Sequence, residues 1–358
     1  MNPEFWQGKK VLVTGHTGFK GGWLCLWLQN LGANVLGYAL DPPTKPSLFD
    51  VAQVAKGMTS IEGDVRDLKN LNLCINRNKP EIIIHMAAQS LVRYSYVNPV
   101  ETYTTNIIGT VNVLEAVRGS DSVKVVVVVT SDKCYENKEW VWGYRENEPM
   151  GGYDPYSSSK GCAELVTAAY QRSFFNIDNK IGHGAALASV RAGNVIGGGD
   201  WADDRLIPDI VNAFVAQRPV IIRNPEAVRP WQHVLEPLNG YMKLTERLWN
   251  DGKSYSEAWN FGPDDSDTRP VSWLVEHISE LWEASPGWQL EKNSQPHEAN
   301  YLKLDCSKAR GRLNWSPLLN LETAIDWIVE WYREYQNNRD MRAVSINQIE
   351  RYQGAIDK

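Results

Sequence analysis

The sequence predicts an α/β fold in which a doubly wound parallel sheet carries a smaller mixed α/β domain. Three observations predict this fold. A short apolar strand near the amino end runs directly into a glycine-rich turn and a helix. Further apolar strands alternate with helical stretches along the first half of the chain. One of these strands contains an unbroken run of valines, which is typical of a strand buried on both faces of a parallel sheet.

The first strand and its turn lie at residues 9–14 and 15–21, and an apolar helical run follows at 22–28. Glycines stand at Gly15, Gly18 and Gly21. This spacing permits a tight turn, lets the backbone approach a pyrophosphate and allows the helix to pack closely on the strand. A pyrophosphate would rest on the helix N-terminus. The pattern therefore predicts a Rossmann-type dinucleotide site.

The second predicted strand, at 34–40, ends at Asp41, which lies about 20 residues beyond the glycines. An acidic residue at this place accepts hydrogen bonds from the adenosine ribose and repels the additional phosphate of NADP. Lys45 lies nearby and would favour that phosphate. Because the carboxylate directly follows the strand, we predict NAD as the cofactor.

Polar or small residues stand where the predicted strands end. The remaining predicted elements are strands at 59–66, 81–88 and 122–130, and helices at 99–117 and 154–172. Ligands of doubly wound sheets bind outside the carboxyl ends of the strands. The residues expected at those ends are Asp41, Asp64, Ala88, Ser131 and Asp132.

Tyr156 and Lys160 are four residues apart at the start of a predicted helix, for which Asp154 is a suitable N-cap and Pro155 a suitable first residue. Residues four apart share a helix face, so the ammonium would lie beside the phenol. An adjacent cation and the helix N-terminus both favour the phenolate, and we expect a Tyr156 pKa well below its ordinary value. Such a phenol is a general base for a sugar or alcohol hydroxyl. The same spacing also occurs in ordinary surface pairs.

Composition excludes several classes of function. The 358 residues suffice for one or two domains, and the net charge of −6 disfavours nucleic acid and anionic membrane surfaces as partners. We find no signal peptide and no apolar run near 20 residues, so we expect a cytoplasmic protein. Five cysteines are scattered without metal-like spacing, which indicates reduced thiols and no metal site.

The glycines, Asp64 and the Tyr156/Lys160 pair together resemble the extended short-chain dehydrogenase/reductase superfamily. The rest of the chain is similar to the members of that superfamily that act on nucleoside-diphosphate sugars. The segments that carry this narrower resemblance are 85–88, 106–115, 191–195, 229–234, 260–263, 302–309 and 313–317.

The segment Thr130-Ser131-Asp132-Lys133 narrows the resemblance further. Epimerases of the superfamily carry small neutral residues after the Ser or Thr, whereas the nucleoside-diphosphate-hexose 4,6-dehydratases carry Asp followed by Glu. This chain keeps the Asp and replaces the Glu by Lys133, as in the subgroup of these dehydratases whose substrate is CDP-glucose. The alternative is a polar strand end that merely caps the sheet. The subgroup serves deoxysugar biosynthesis for surface polysaccharide, including lipopolysaccharide O-antigen.

The resemblance implies an oxidation at C4 of the hexose, an elimination of water across C5 and C6, and a reduction at C6. Tyr156 would take the C4 hydroxyl proton, Ser131 would bind the same oxygen, and Lys160 would bind the nicotinamide ribose. Asp132 would protonate the departing C6 hydroxyl. Lys133 has two open roles, because a neutral lysine could be the C5 base and a cationic one could stabilise the enolate; we favour the base.

The resemblance also implies the binding residues. Those expected to bind NAD are Gly15, Thr17, Gly18, Phe19, Lys20, Gly21, Asp41, Asp64, Val65, Ala87, Ala88, Gln89, Asn106, Thr130, Tyr156 and Lys160. Those expected to bind the nucleotide sugar are Ser90, Asn194, Arg205, Arg229 and Tyr301. Arginine suits the diphosphate because its fork binds phosphate in bidentate fashion.

His16 and Lys20 are departures from the family's glycine turn, where relatives often carry Gly and Ile. Three interpretations stay open. These side chains could crowd the pyrophosphate, Lys20 could help to neutralise it, or both could lie in a solvated loop. We predict NAD binding that is weaker and more reversible than in relatives.

We expect an NAD-binding domain formed by 1–190 and 233–261, and a nucleotide-sugar-binding domain formed by 191–232 and 262–358. By analogy with the superfamily, the helices at 99–117 and 154–172 predict a homodimer or homotetramer. Rival functions are a nucleotide-sugar 4-epimerase or simple oxidoreductase, a 4,6-dehydratase for a dTDP or GDP sugar, and a non-catalytic NAD-sensing regulator. An epimerase does not require Asp132.

Overall fold

The computed structural model describes residues 2–175, 183–282, 287–291 and 301–356. The helices are α1 (Pro3–Trp6), α2 (Phe19–Asn30), α3 (Leu48–Val51), α4 (Leu68–Asn78), α5 (Val92–Val97), α6 (Pro99–Tyr103), α7 (Gly109–Arg118), α8 (Pro155–Ser173), α9 (Leu206–Val215), α10 (Leu235–Asn250), α11 (Gly252–Tyr255), α12 (Val271–Trp282), α13 (Ser307–Leu313), α14 (Leu321–Gln336) and α15 (Met341–Ile356). The strands are β1 (Lys10–Thr14), β2 (Asn34–Ala39), β3 (Thr59–Glu62), β4 (Ile82–His85), β5 (Val125–Val129), β6 (Ala186–Arg191), β7 (Val195–Ile196), β8 (Val220–Ile222), β9 (Val228–Pro230), β10 (Gln232–His233), β11 (Ala258–Asn260), β12 (Thr268–Pro270) and β13 (Trp288–Leu290).

Seven parallel strands form the central sheet, in the order β3-β2-β1-β4-β5-β6-β11. The order reverses between β1 and β4, and this reversal defines the crevice in which doubly wound sheets bind ligands. The Rossmann-type fold class predicted from the sequence is confirmed. The predicted return of the chain to the sheet between 233 and 261 is also confirmed, because β11 extends the sheet beside β6.

Both faces of the sheet are buried, which explains the valine run. Val125 and Val127 pack into one core with α2, α10 and α14, whereas Val126 and Val128 pack into a second core with α4 and α7. Successive residues of a strand point to opposite faces, so a strand covered on both faces must be apolar throughout.

Some predicted elements differ at their ends or within them. The strands predicted at 59–66 and 81–88 end at Glu62 and His85, because the chain turns there into the cleft at the sheet edge. The helix predicted at 99–117 contains a π-helical stretch at Thr104–Ile108. The strand β6 was not predicted, since its sequence Ala-Leu-Ala-Ser-Val-Arg lacks a clear β pattern even though every residue of it is buried.

Outside the central sheet, β7–β10, β8–β13 and β9–β12 form three two-stranded pairs in the carboxyl half. The last helix, α15, packs back against α2, where Tyr352 meets the Trp27 ring edge to face. The domain boundaries stay a prediction. Among the described residues, no helix combines the length and the apolar character needed to cross a membrane.

Candidate active site

A cleft of about 870 Å³ opens at the carboxyl ends of β1, β2, β4 and β5. Its far side is formed by residues between 192 and 231. Nearly all residues that the sequence assigned to the site line this cleft: Gly15, Thr17, Gly18, Phe19, Lys20, Gly21, Asp41, Asp64, Val65, Ala87, Ala88, Gln89, Ser90, Thr130, Ser131, Asp132, Lys133, Tyr156, Lys160, Asn194, Arg205 and Arg229.

Two predicted site residues lie elsewhere. Asn106 is buried behind the cleft, where its amide accepts from Gln89 N at 2.9 Å and donates to Ser159 Oγ at 2.8 Å. It therefore supports a wall of the cleft without lining it. Tyr301 lies outside the cleft, with its hydroxyl against the Val141 carbonyl oxygen at 3.4 Å. The chain carries Tyr301 beside the segment 137–144, and a contact between Tyr301 and the substrate stays a prediction.

The glycine turn has the geometry that its spacing predicts. Gly15 has a φ of +75°, and a β-carbon there would lie 2.8 Å from the backbone of Ala87. A β-carbon on Gly21 would lie 2.1 Å from the Gly15 carbonyl oxygen, so helix α2 packs directly on the turn. Gly18 is the N-cap of α2 and lines the cleft. The amino end of α2 is thus open to an anion.

Helix α8 begins as predicted and buries both Tyr156 and Lys160, but the electrostatics of these two groups differ from the prediction. Asp154 accepts from Ser157 N at 2.9 Å and caps α8, and Tyr156 and Lys160 are 8% and 6% exposed. Burial raises the pKa of Tyr156 to about 12, although Ser131 and Arg205 oppose the shift. The predicted low pKa of Tyr156 is wrong for the protein alone. Both side chains are dry, and the Lys160 ammonium lies against the Val129 carbonyl oxygen at 3.4 Å.

Burial also acts on Lys160, whose pKa falls to about 8. The ammonium is therefore still the main form at neutral pH. A charge held this far from water exerts a stronger field on its neighbours than a solvated one does.

The segment after β5 forms a single 3-10 turn, Asp132–Cys134, capped by Ser131. The Ser131 hydroxyl accepts from Lys133 N at 3.2 Å and donates to Asp132 Oδ1 at 2.9 Å. It is also close enough to the Tyr156 phenol to act on the pKa of that group. Asp132 Oδ2 is buried without a hydrogen-bond partner among the described residues. It faces Gly193, where a β-carbon would lie only 1.8 Å from it. Ser131, Asp132 and Tyr156 are therefore one contiguous group.

His16 and Lys20 do not lie in a solvated loop. His16 is fully buried, its Nε2 is 2.7 Å from Ser60 Oγ, and its ring meets Phe49 edge to face. Lys20 lines the cleft and donates to the Tyr241 hydroxyl at 3.1 Å. Burial and the charges of Lys160 and Arg205 lower the pKa of Lys20 to about 7.

Arginines and carboxylates alternate on the far side of the cleft. Arg205 donates to Asp200 at 2.8 Å and to Ser90 Oγ at 3.0 Å. Asp204 accepts from Arg93 at 2.8 Å and from Arg223 at 2.7 Å. Sequence reasoning missed Arg93 and Arg223. Arg223 directly follows strand β8, and its position at a strand end is the one feature of the sequence that could have indicated a site residue. The sequence around Arg93 has no such feature.

Fold and cleft together define a member of the extended short-chain dehydrogenase/reductase superfamily: a doubly wound sheet, a glycine turn and a Tyr/Lys pair meet at one cleft. The family model described as GDP-mannose 4,6 dehydratase matches residues 12–328, and the chain belongs to that family.

Curated and solved relatives agree with this assignment. The chain is 56% identical over 358 residues to a protein of Salmonella typhimurium named CDP-glucose 4,6-dehydratase, and the match covers all of both chains. Among solved structures it is similar to a UDP-glucose 4-epimerase of Thermotoga maritima, with a TM-score of 0.80, 22% identity and coverage of 91% and 99% of the two chains. It is also similar to a dTDP-glucose 4,6-dehydratase of Bacillus anthracis, with a TM-score of 0.76, 21% identity and coverage of 94% and 100%. These two solved structures carry the fold alone.

Proposed function

We propose that the protein converts CDP-D-glucose to CDP-4-keto-6-deoxyglucose and water. The observation that carries this proposal is the 56% identity, over the whole of both chains, to a protein named CDP-glucose 4,6-dehydratase. The cleft supplies the matching chemistry, because Ser131, Asp132, Lys133 and Tyr156 line it together. A 4-epimerase would have no use for a buried acid at Asp132, so the dehydratase is favoured over that rival.

The residues of the cleft fit an NAD molecule. Gly18 offers the amino end of α2 to a pyrophosphate, and Asp41 stands at the end of β2 where a ribose hydroxyl would lie. When bound, NAD supplies the acceptor for a hydride from C4, the donor for its return to C6, and a positive ring charge that lowers the pKa of a nearby phenol. Asp64 is tied to Arg66 N and Arg66 Nε at 2.8 Å, which fixes the next strand end along the same wall.

Three side chains would move protons on the hexose. Tyr156 takes the proton of the C4 hydroxyl, and Ser131, which lies close to that phenol, binds the same oxygen. The C4 ketone acidifies the proton at C5, which Lys133 removes. Asp132 gives a proton to the C6 hydroxyl, which departs as water. The hydride is then added at C6, and the protonated Lys133 returns a proton to C5. Tyr156 releases the proton it took, Asp132 regains one from solvent, and the net change is the loss of one water.

The diphosphate would lie along the far side of the cleft, on Arg205 and Arg229. Arg205 is held in place by Asp200 and Ser90, so its guanidinium is presented to the cleft without a large loss of side-chain freedom on binding. Asn194, with a left-handed φ of +48°, lines the cleft where the pyranose would lie.

The test is incubation with CDP-, dTDP-, GDP- and UDP-hexoses. A 4-keto-6-deoxy product absorbs strongly in alkali, whereas a C4 epimer does not. We expect the absorbance with CDP-glucose, and its loss in Tyr156→Phe. An epimer, or turnover confined to another nucleotide, would contradict the proposal. Protein that always purifies fully loaded with NAD would contradict the separate prediction of weak NAD binding.

The role of Lys133 has its own test. In D₂O we expect deuterium at C5 of the product from wild-type protein. After Lys133→Met we expect neither the product nor deuterium at C5 of the recovered sugar, because methionine cannot remove the C5 proton. The control is Lys138→Met, which removes a half-exposed lysine from the following loop. Deuterium exchange at C5 that persists in Lys133→Met would assign Lys133 to stabilisation of the enolate instead.

We also propose that the protein is a homodimer or homotetramer. Helices α6 and α8 and the adjoining stretches expose apolar side chains: Val97, Val100, Ile108 and Leu165 are 48–78% exposed. Exposed apolar groups on neighbouring helices are typical of a protein–protein interface. Light scattering of wild type against Leu165→Glu checks this, with a fall in mass expected for the variant.

A further inference from the structure

A buried ion pair lies directly behind the catalytic segment. Arg191 Nη2 is 2.8 Å from Glu164 Oε2, and both side chains are only 4% exposed. Glu164 is on α8 and Arg191 is the last residue of β6. Burying two opposite charges costs much of what their attraction returns, so such a pair is weak evidence for stability alone. The role of this ion pair therefore depends on which groups it holds in place.

The ion pair forms hydrogen bonds with both ends of the segment 130–135, which we call the catalytic turn because it contains Ser131, Asp132 and Lys133. The Thr130 hydroxyl, directly before Ser131, donates to Glu164 Oε1. The Tyr135 hydroxyl, directly after Cys134, accepts from Arg191 Nη1 at 2.6 Å. The Glu164 carboxylate therefore holds the start of the turn, and the Arg191 guanidinium holds its end. We call these two side chains the clamp.

The same pair is anchored to its surroundings. Glu164 Oε2 also accepts from Ser189 Oγ at 2.7 Å, and the Tyr135 hydroxyl donates to Asn260 Oδ1 at 2.8 Å. These contacts join α8, β6 and β11 to the segment that directly follows β5. Glu164 lies one helical turn beyond Lys160 on the same helix face.

We propose that Glu164 and Arg191 are positioning residues for the reaction, which fix the turn that carries Ser131, Asp132 and Lys133 and orient it toward Tyr156 and Lys160. The inference rests on the proposed function of this cleft. A displacement of about 1 Å in a reacting group costs on the order of 100-fold in rate, so a clamp on both ends of this turn has a direct kinetic effect.

The clamp also has an electrostatic effect on Lys160. Burial lowers the pKa of Lys160, and the Glu164 carboxylate opposes that shift. The groups coupled to Lys160 from the neighbouring elements are Cys134 in the turn, His85 at the end of β4 and Lys20 on α2. Loss of the Glu164 charge lowers the pKa of Lys160 further, so the ammonium is lost at a lower pH.

Two variants test the positioning role without disturbing the ion pair itself. Thr130→Val removes the hydroxyl that binds Glu164, and Tyr135→Phe removes the hydroxyl that binds Arg191. In each, we expect kcat for CDP-glucose to fall by about 10-fold or more, with KM changed by less than about 3-fold, because the turn acts on the reacting atoms. A third variant, Glu164→Gln, should also move the alkaline limb of the kcat profile to lower pH, and Glu164→Asp should restore part of the activity.

The control is Glu236→Gln, which replaces another fully buried acidic side chain, one whose pKa is raised by burial to about 7. Glu236 accepts from Leu319 N at 2.8 Å and from the Tyr352 hydroxyl at 2.7 Å, and none of these residues lines the cleft. It should lower the Tm without changing kcat or its pH profile. If Glu164→Gln behaves in the same way, and Thr130→Val and Tyr135→Phe keep the wild-type kcat, the positioning role is overturned.

A readout independent of turnover separates this inference from the proposed function. Amide hydrogen exchange of a peptide that spans 130–135 should be faster in Thr130→Val, Tyr135→Phe and Glu164→Gln than in wild type, and unchanged in Glu236→Gln. If the wild-type protein does not turn over CDP-glucose, the proposed function is wrong. The amide exchange rates of 130–135 would still show whether Glu164 and Arg191 hold the turn in place. Unchanged exchange in all three clamp variants would sink the clamp.

Discussion

The two walls of the cleft hold their polar groups in different ways. On the catalytic wall, Ser131, Asp132, Tyr156 and Lys160 are each at most 8% exposed and contact one another or buried groups. On the far wall, Arg205 pairs with Asp200, and Arg223 pairs with Asp204. The side chains of the two arginines and of Asp204 are 26–34% exposed, whereas Asp200 is buried. Partly exposed ion pairs contribute only about 0–1 kcal/mol, so a ligand can replace them at small cost.

This difference separates chemistry from recognition. Proton transfer needs groups fixed in a dry place, where fields are strong and geometry is narrow. Binding of a charged diphosphate needs arginine side chains that already lie close together. These side chains must be able to leave a carboxylate partner and bind the diphosphate instead. We therefore expect changes on the catalytic wall to act on kcat and changes on the far wall to act on KM.

The largest effect is expected for Gly193→Ala. The new β-carbon would lie 1.8 Å from Asp132 Oδ2, so the proposed acid must move. Because a positioned general acid contributes about 100-fold to 10,000-fold, we expect kcat to fall by about 1,000-fold with a small change in KM. Gly311→Ala is the control, since its β-carbon meets nothing within 4 Å. If a folded Gly193→Ala variant keeps the wild-type kcat, Asp132 is not the general acid of the reaction.

Arg205→Lys should give the next largest effect. Lysine keeps the charge but loses the fork that binds phosphate in bidentate fashion. We expect KM for CDP-glucose to rise by about 10-fold, which is close to the loss of one charge-assisted hydrogen bond, while kcat stays within about 3-fold. Steady-state kinetics measure both constants. The control is Arg218→Lys, at an exposed arginine outside the cleft. A fall in kcat without a rise in KM in Arg205→Lys would contradict the difference that we expect between the two walls.

Asp204→Asn should have a smaller effect, in the opposite direction. Asp204 occupies Arg93 and Arg223 together, and its left-handed φ of +60° is one that Asn tolerates. Without the carboxylate, both cations are released toward a diphosphate, so we expect KM at low salt to fall by about 2- to 5-fold. The gain should vanish in about 1 M salt, where charges are screened within about 3 Å. Asp326→Asn, at an exposed carboxylate outside the cleft lining, removes the same net charge and should leave KM near wild type; an equal fall there would assign the effect to net charge.

The smallest effect is expected for Lys20→Met, and it is a change in stability with pH. Lys20 has its pKa lowered to about 7 by burial and by Lys160 and Arg205, against an ordinary value of about 10.5. Below pH 7 both the folded and unfolded states carry the charge, so the cost of burying it is fully present. Between about pH 7 and 10.5 the folded state loses the proton first, and the cost declines.

Lys20→Met should therefore raise the Tm more at pH 6 than at pH 10. Thermal unfolding at the two pH values measures this, and Lys138→Met at a half-exposed lysine is the control. A gain of equal size at both pH values would mean that Lys20 is held neutral, or that its charge is not buried.

Much of the fold followed from local signals. The glycines at 15, 18 and 21 predicted the turn, since only a residue without a β-carbon fits beside Ala87 or the Gly15 carbonyl. The valines of β5 predicted a strand buried on both faces. The strand β6 escaped prediction, because its burial comes from neighbours that are distant in sequence.

The site was predicted unevenly for a similar reason. Residues at strand ends came to one cleft because parallel strands end at one edge of a sheet. Tyr301 did not, since no local pattern fixes where a loop in the carboxyl third will lie. The pKa of Tyr156 was predicted in the wrong direction, because sequence spacing gives the distance to Lys160 but not the burial of both groups.

The sequence by itself determined the doubly wound sheet, the glycine turn and the helix that places Tyr156 beside Lys160, since each follows from contacts between near neighbours along the chain. Only the tertiary structure decided that Asp132 faces Gly193, that Lys20 lies in the cleft wall and that Glu164 and Arg191 hold both ends of the catalytic turn. These relations join residues 27 to 221 positions apart, and burial and charge at such distances depend on how the elements pack together.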